Sequence, residues 1–152
     1  MPAPPQKSPE RPATARGTGS WLPLLGVLIG LWAIIPPYVK TFGDLGVTNR
    51  VEVADHVIPG IAVIVVSLLG YLLLRSADPS ELALFVGGAI VTLAGFWMVA
   101  THVGLISQAR DDVVPVKAVV WHGLPGLVVT ALGVVWTIRF WEAEADEAAS
   151  GR

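Results

Sequence analysis

Four stretches of this chain run long, apolar and free of charged side chains: Trp21 to Val39, Val57 to Leu74, Leu82 to Ile106 and Ala118 to Ile138. Wound as α-helix at 1.5 Å per residue, each approaches the thickness of a bilayer's hydrocarbon core; the first would reach roughly 28 Å. The composition agrees. Charged residues make up 14% of the chain and hydrophobic residues 53%, whereas soluble domains carry about 25% charge. The net charge of −2, with no basic stripe, argues against a nucleic-acid partner. With no cysteine, disulfides, thiolate metal sites, iron–sulfur clusters and cysteine nucleophiles are excluded.

The expected architecture is therefore all-α, a four-span transmembrane helical bundle. Residues 1–20, with Pro2, Pro4, Pro5, Pro9 and Pro12, read as a disordered tail that cannot bury enough apolar surface to order itself. No small-x-small cleavage site follows the first run, which ends in Pro36-Pro37-Tyr38, so it reads as a span rather than a signal peptide. Polar connections cover 40–55 and 107–117. Between runs two and three, Asp78 or Ser80 suits a helix N-cap, with Pro79 and Glu81 in the first turn. Residues 142–152 read as an acidic solvated tail. Lys7, Arg11, Arg16, Arg75, Arg139 and Arg152 fall on one side, against Lys40, Arg50, Arg110 and Lys117 on the other. The positive-inside rule puts both termini in the cytoplasm. Trp21, Phe140 and Trp141 then lie at the inner interface, and Tyr38 and Trp121 near the outer one. Arginine over lysine, with abundant Ala, Gly and Val, reads as the composition of a high-GC bacterium, so the expected location is a bacterial inner membrane.

The chain also repeats itself. Asp55-His56-Val57-Ile58-Pro59-Gly60 is echoed by Trp121-His122-Gly123-Leu124-Pro125-Gly126, and Gly30-Leu31-Trp32 by Gly95-Phe96-Trp97. A unit of about 65 residues used twice is a tandem repeat, here two two-helix units over 21–75 and 82–141. Two spans per unit make the repeat parallel, with a pseudo-two-fold axis along the membrane normal. Pro37 then corresponds to His102, Trp32 to Trp97 and His56 to His122.

On these residues the chain resembles the SPW-repeat integral membrane proteins. Their unit is a pair of membrane helices, the first with Gly-x-Trp followed by Ser-Pro-Trp. The first unit here reads Gly30-Leu31-Trp32-Ala33-Ile34-Ile35-Pro36-Pro37-Tyr38. The second reads Gly95-Phe96-Trp97-Met98-Val99-Ala100-Thr101-His102-Val103. Gly and Trp persist, while the naming tripeptide becomes Pro-Pro-Tyr and Thr-His-Val. The resemblance covers nearly all of 21–141. It implies architecture and carries no activity.

Candidate chemistry rests on the three histidines. His56, His102 and His122 all fall in the outer half of the expected bundle. Three imidazoles in one layer can ligate Zn, Cu or Fe, with Asp55, Asp111 or Asp112 to complete or orient the site; two on facing helices can grip a haem. The favoured expectation is plainer. Pro59 and Pro125 remove the donors for the carbonyls of Asp55 and Trp121, and histidines beside such kinks satisfy freed main-chain groups. On that reading the three rings lie apart, more than about 10 Å. A metal site would instead bring them within a few Å, with Asp55 as outer acceptor. Thr92, Thr101 and Thr130 are expected to bond their own helices. The Gly26-x-x-x-Gly30 face allows close helix packing.

No Asp, Glu, Lys or Arg lies near the centre of a run, which disfavours proton- or sodium-coupled transport, and no catalytic triad or phosphate loop is present. The expected protein is non-enzymatic: a scaffold or accessory subunit that binds the lipid bilayer and other membrane proteins or itself. A metal- or haem-binding membrane protein is the alternative, and a small oligomeric channel or transporter the third reading.

Overall fold

The computed structural model describes residues 21–39, 53–77 and 79–149. The expected tail over 1–20, the connection over 40–52, the Asp78 cap and residues 150–152 lie outside the described residues. Helix α1 covers Leu22–Ile34 and runs into a 3-10 turn at Pro36–Tyr38. A π-helical turn, Val53–Val57, leads into α2, Ile58–Leu74. Helix α3 covers Glu81–His102, α4 Gly104–Arg110 and α5 Val116–Ala149. Among the described residues there is no strand.

Three segments are long and apolar enough to cross a membrane: Ala54–Leu74, Glu81–Arg110 and Val116–Glu142. The first apolar helix is shorter, Leu22–Tyr38. Its α-winding stops at Ile34 because Pro36 and Pro37 offer no N–H to the preceding turn. The other runs are adjusted too. At Val103 the third is interrupted, beside the carbonyl of Met98, which the His102 ring takes at 2.7 Å. The fourth continues through the acidic segment to Ala149, where alternating Ala and Glu favour helix. What read as a solvated tail from 142 is thus helical up to Ala149. Pro125 lies within α5, whereas Pro59 falls in the first turn of α2 just after the π turn. Ser80 fills the N-cap of α3, its Oγ accepting from Ala83 N–H at 3.2 Å. Helix α4 ends without glycine: Asp112 takes a left-handed conformation (φ 56°). Val113 N–H then returns to the Gln108 carbonyl at 2.8 Å and Asp112 N–H to that of Ala109 at 3.3 Å, closing the last turn.

Each long helix packs on two others: α1 on α2, α2 on α3, α3 on α5 and α5 on α1. The α3–α5 pair is the closest. A Cβ on Gly95 would strike the main chain of Thr130, one on Gly133 that of Thr92, and one on Gly88 would come 2.7 Å from Thr137 N. Each step up α3 is matched by an equal step down α5, so the pairing carries on to bring His102 level with His122 on α5's buried face. The threonines tolerate this approach because each hydroxyl donates back into its own helix: Thr92 to Gly88, Thr130 to Gly126 and Thr137 to Gly133, at 2.8–2.9 Å. Thr101 likewise bonds Trp97. The α1–α2 pair is built the same way. Gly26 abuts the Ser67 side chain, and Gly30 meets the Gly60 carbonyl. The Gly26-x-x-x-Gly30 face is therefore spent inside the chain. Continued one turn, this pairing sets Ala33 beside His56. Trp136, fully buried, fills the opposite end of the bundle against Gly70 and Gly87. The outward surface is large and apolar: Leu28, Leu69, Leu93, Phe96 and Leu127 are all exposed. An apolar exterior of this kind is consistent with a multi-pass membrane protein.

This packing predicts an asymmetry between two glycines. Gly95→Ala should lower the thermal stability of the purified protein in mild detergent by about 1–3 kcal/mol, because the Cβ meets main chain that cannot yield. Gly123→Ala, whose Cβ meets nothing within 4 Å, should leave stability unchanged or raise it by up to ~1 kcal/mol through helix propensity. Equal effects in thermal unfolding would contradict the packing described.

Candidate metal centre

The three histidines converge. His56 comes from the π turn, His102 from the last residue of α3 and His122 from the first turns of α5. One ligating nitrogen from each lies within 4.8 Å of the other two. His56 Nε2 is 3.0 Å from His102 Nε2 and 3.2 Å from His122 Nδ1. The ring centroids of His56 stand 4.6 Å from His102 and 5.2 Å from His122. His56 is 0% exposed, His122 1% and His102 8%. The favoured expectation, that the rings lie apart and each mends its own proline kink, is not what the fold delivers. Proline kinks act locally, whereas the register of α1–α2 and α3–α5 fixes where the three helix ends meet.

The outer hydrogen bonds orient the rings. His56 Nδ1 lies 3.2 Å from the Ala33 carbonyl and His102 Nδ1 2.7 Å from the Met98 carbonyl. A carbonyl only accepts, so both rings carry their proton on Nδ1 when neutral. Thr101 Oγ1 sits 3.0 Å from His102 Nδ1 and is itself engaged to the Trp97 and Met98 carbonyls. With both Nδ1 atoms donating, His56 Nε2 and His102 Nε2 present lone pairs to one another at 3.0 Å. Two acceptors at that distance repel unless a cation or proton stands between them. His122 Nδ1 closes the triangle from α5.

The Ala33 carbonyl takes the place expected for Asp55. Asp55 precedes His56 in the π turn and is half-buried, but the acceptor opposite His56 Nδ1 comes from α1. Asp111 and Asp112 sit in the exposed turn after α4, and among the described residues no carboxylate joins the cluster. Reading the chain for side-chain ligands passes over Ala33. The signal lay in Pro36-Pro37, which remove both N–H groups that a helix would offer the Ala33 carbonyl.

A set of three imidazole nitrogens has a defined chemistry. It lacks the oxygens that Ca and Mg demand and the thiolates that select softer ions, and it suits Zn, Cu, Fe or Ni. Three nitrogens each 2.0–2.1 Å from a tetrahedral ion stand roughly 3.3 Å apart; the two separations from His56 Nε2, 3.0 and 3.2 Å, come close to that, and all three ligand atoms lie within 4.8 Å of one another. Imidazole ligands ordinarily donate their second N–H to a carbonyl or carboxylate, the arrangement that Ala33 and Met98 provide. No protein-family model matches this chain, and neither a curated protein nor a solved structure does.

Proposed function

We propose that this is a membrane protein whose function centres on one first-row transition-metal ion held by His56, His102 and His122. One observation carries the reading: two buried imidazoles, each committed by its Nδ1 to a main-chain carbonyl, aim their acceptor nitrogens at one another with a third imidazole alongside. A scaffold that only docks other membrane proteins gives no reason for that convergence, so the metal reading stands ahead of it. Haem fits poorly. Iron between two imidazoles separates their nitrogens by roughly 4 Å, with the macrocycle passing between them; at 3.0 Å, with the third ring against the pair, no slot exists. Three imidazoles around a small ion leave a fourth position for water or an incoming group.

In this proposal the chain crosses the membrane four times, with Leu22–Tyr38 as the short first span. Two tandem parallel units, 21–75 and 82–141, make up the bundle. The neighbour pattern supports this: exchanging α1 with α3 and α2 with α5 returns the same set of packed pairs. So does a correspondence between carbonyls. Ala33 and Met98 hold equivalent places in the two units, and each accepts from a histidine ring. The SPW-repeat resemblance belongs with this architecture. Both termini are cytoplasmic, and the metal centre lies toward the outer face of a bacterial inner membrane.

Metal content tests the function. Protein purified in mild detergent without chelators should retain about one equivalent of Zn, Cu, Fe or Ni by elemental analysis. His56→Ala, His102→Ala and His122→Ala should each lower Co(II) affinity by more than the ~10–100-fold that loss of an outer partner costs. A wild-type protein that neither retains a metal nor gives a Co(II) absorption band on titration would end this reading.

Topology is tested apart from function. The chain has no cysteine, so Ser8→Cys, Thr48→Cys, Ser107→Cys and Ser150→Cys can be introduced without background. An impermeant thiol reagent applied outside the inner membrane should label the Thr48 and Ser107 variants and spare the Ser8 and Ser150 variants. The opposite labelling would invert the assignment, and labelling on the two sides of α1 from the same face would remove the first span.

A further inference from the structure

We infer that Pro36 and Pro37 are positioning residues of the metal centre: together they deprive the Ala33 carbonyl of any main-chain donor, and that carbonyl then holds the His56 ring with Nε2 toward the ion. The inference rests on the metal reading above. An α-helical carbonyl accepts from the N–H four residues on, and a 3-10 carbonyl from the N–H three residues on. For Ala33 those residues are Pro37 and Pro36, and neither has an N–H. Nearby carbonyls find main-chain donors: Trp32 accepts from Ile35 at 3.1 Å, Ile35 from Tyr38 at 3.0 Å and Pro36 from Val39 at 3.3 Å. Ala33 is fully buried, so solvent is no substitute, and a carbonyl left unpaired there would be costly. The donor that reaches it is His56 Nδ1, 23 residues along the chain and on another helix.

The second unit makes the contrast. At the equivalent carbonyl, Met98, the partner is His102 of the same helix, one turn on, at 2.7 Å. A histidine at its own helix end reaches the carbonyl without any proline. Only where the ring arrives from across a helix interface must the local donors be cleared away, and among the described residues only there do two prolines stand in succession. If the prolines merely ended α1, one would suffice, and the state of the His56 ring would be indifferent to them.

The test uses the full chain in lipid nanodiscs, Co(II) as the probe and 15N resonances of the imidazoles as a second readout. In the metal-free wild type His56 should be the Nδ1–H tautomer. Pro37→Ala returns an N–H to the α-helical position opposite Ala33. It should raise the Co(II) dissociation constant by about 10–100-fold, alter the Co(II) visible spectrum and remove the Nδ1–H preference of His56. Pro36→Ala returns the 3-10 donor, since the Trp32, Ile35 and Pro36 carbonyls here each pair with the N–H three residues on, and it should weaken binding and the tautomer preference in the same direction. Lactic acid incorporated at position 37 lacks both the N–H and the ring; it should restore affinity and tautomer together, which a purely structural role for the proline ring would not. Pro37→Ala with wild-type affinity and an unchanged His56 tautomer would overturn the inference, as would lactic acid behaving like alanine. A wild type that binds no Co(II) overturns the metal reading instead, and the tautomer measurements then decide the role of the prolines alone.

Discussion

In apolar surroundings a main-chain carbonyl without a donor costs several kcal/mol, and this structure depends on how that demand is met at Ala33. Two prolines remove both helical donors, burial removes water, and the His56 ring satisfies the group from another helix. The bond ties the end of α1 to the turn before α2 and sets the proton position on His56. Once Nδ1 donates, Nε2 can only accept. The same holds for His102 on the Met98 carbonyl. Two local requirements for paired carbonyls thus produce a pair of opposed lone pairs.

The rings meet because the helices approach closely. Glycine against threonine along α3–α5, and glycine against serine or main chain along α1–α2, allow contacts that any larger residue would block. Lipid offers no hydrophobic drive for helices to associate, so close packing of small residues is what holds such a pair in register. That register is the reason His102 and His122 arrive at one level and Ala33 faces His56. The π turn at Val53–Val57 adds a wider winding beside Pro59, and such turns recur at functional sites. The histidine cluster is thus assembled from helix ends, where the winding is least regular, while the bundle below it is regular and tight.

Much of this was legible in the residues. Charge-free runs of suitable length announced apolar helices, because the hydropathy of a segment is a local property. The levels of His56, His102 and His122 along their helices followed from counting at helical rise. Ser80 as a cap and the threonines bonding their own helices followed from short-range chemistry. The distance between the rings did not follow, nor did the choice of Ala33 over Asp55. Both depend on which faces of α1, α2, α3 and α5 touch, and a run such as Leu82 to Ile106, apolar all round, carries no periodic stripe to say so. Helix ends were also misjudged where two rules competed. Pro36-Pro37 shortened the first run, and the helix-forming Ala/Glu segment lengthened the last.

The amino-acid sequence by itself determined that the described chain is helical and rich in membrane-length apolar segments, that its chemistry rests on three imidazoles without thiols, and that those imidazoles share one end of the bundle. Composition and helical rise suffice for each of these, since none depends on where another helix lies. Only the tertiary structure decided that the three nitrogens fall within 4.8 Å and that main-chain carbonyls set the proton positions of two of the rings. Those are matters of a few tenths of an ångström, set by Gly88, Gly95 and Gly133 against threonine and by Gly26 and Gly30 against α2.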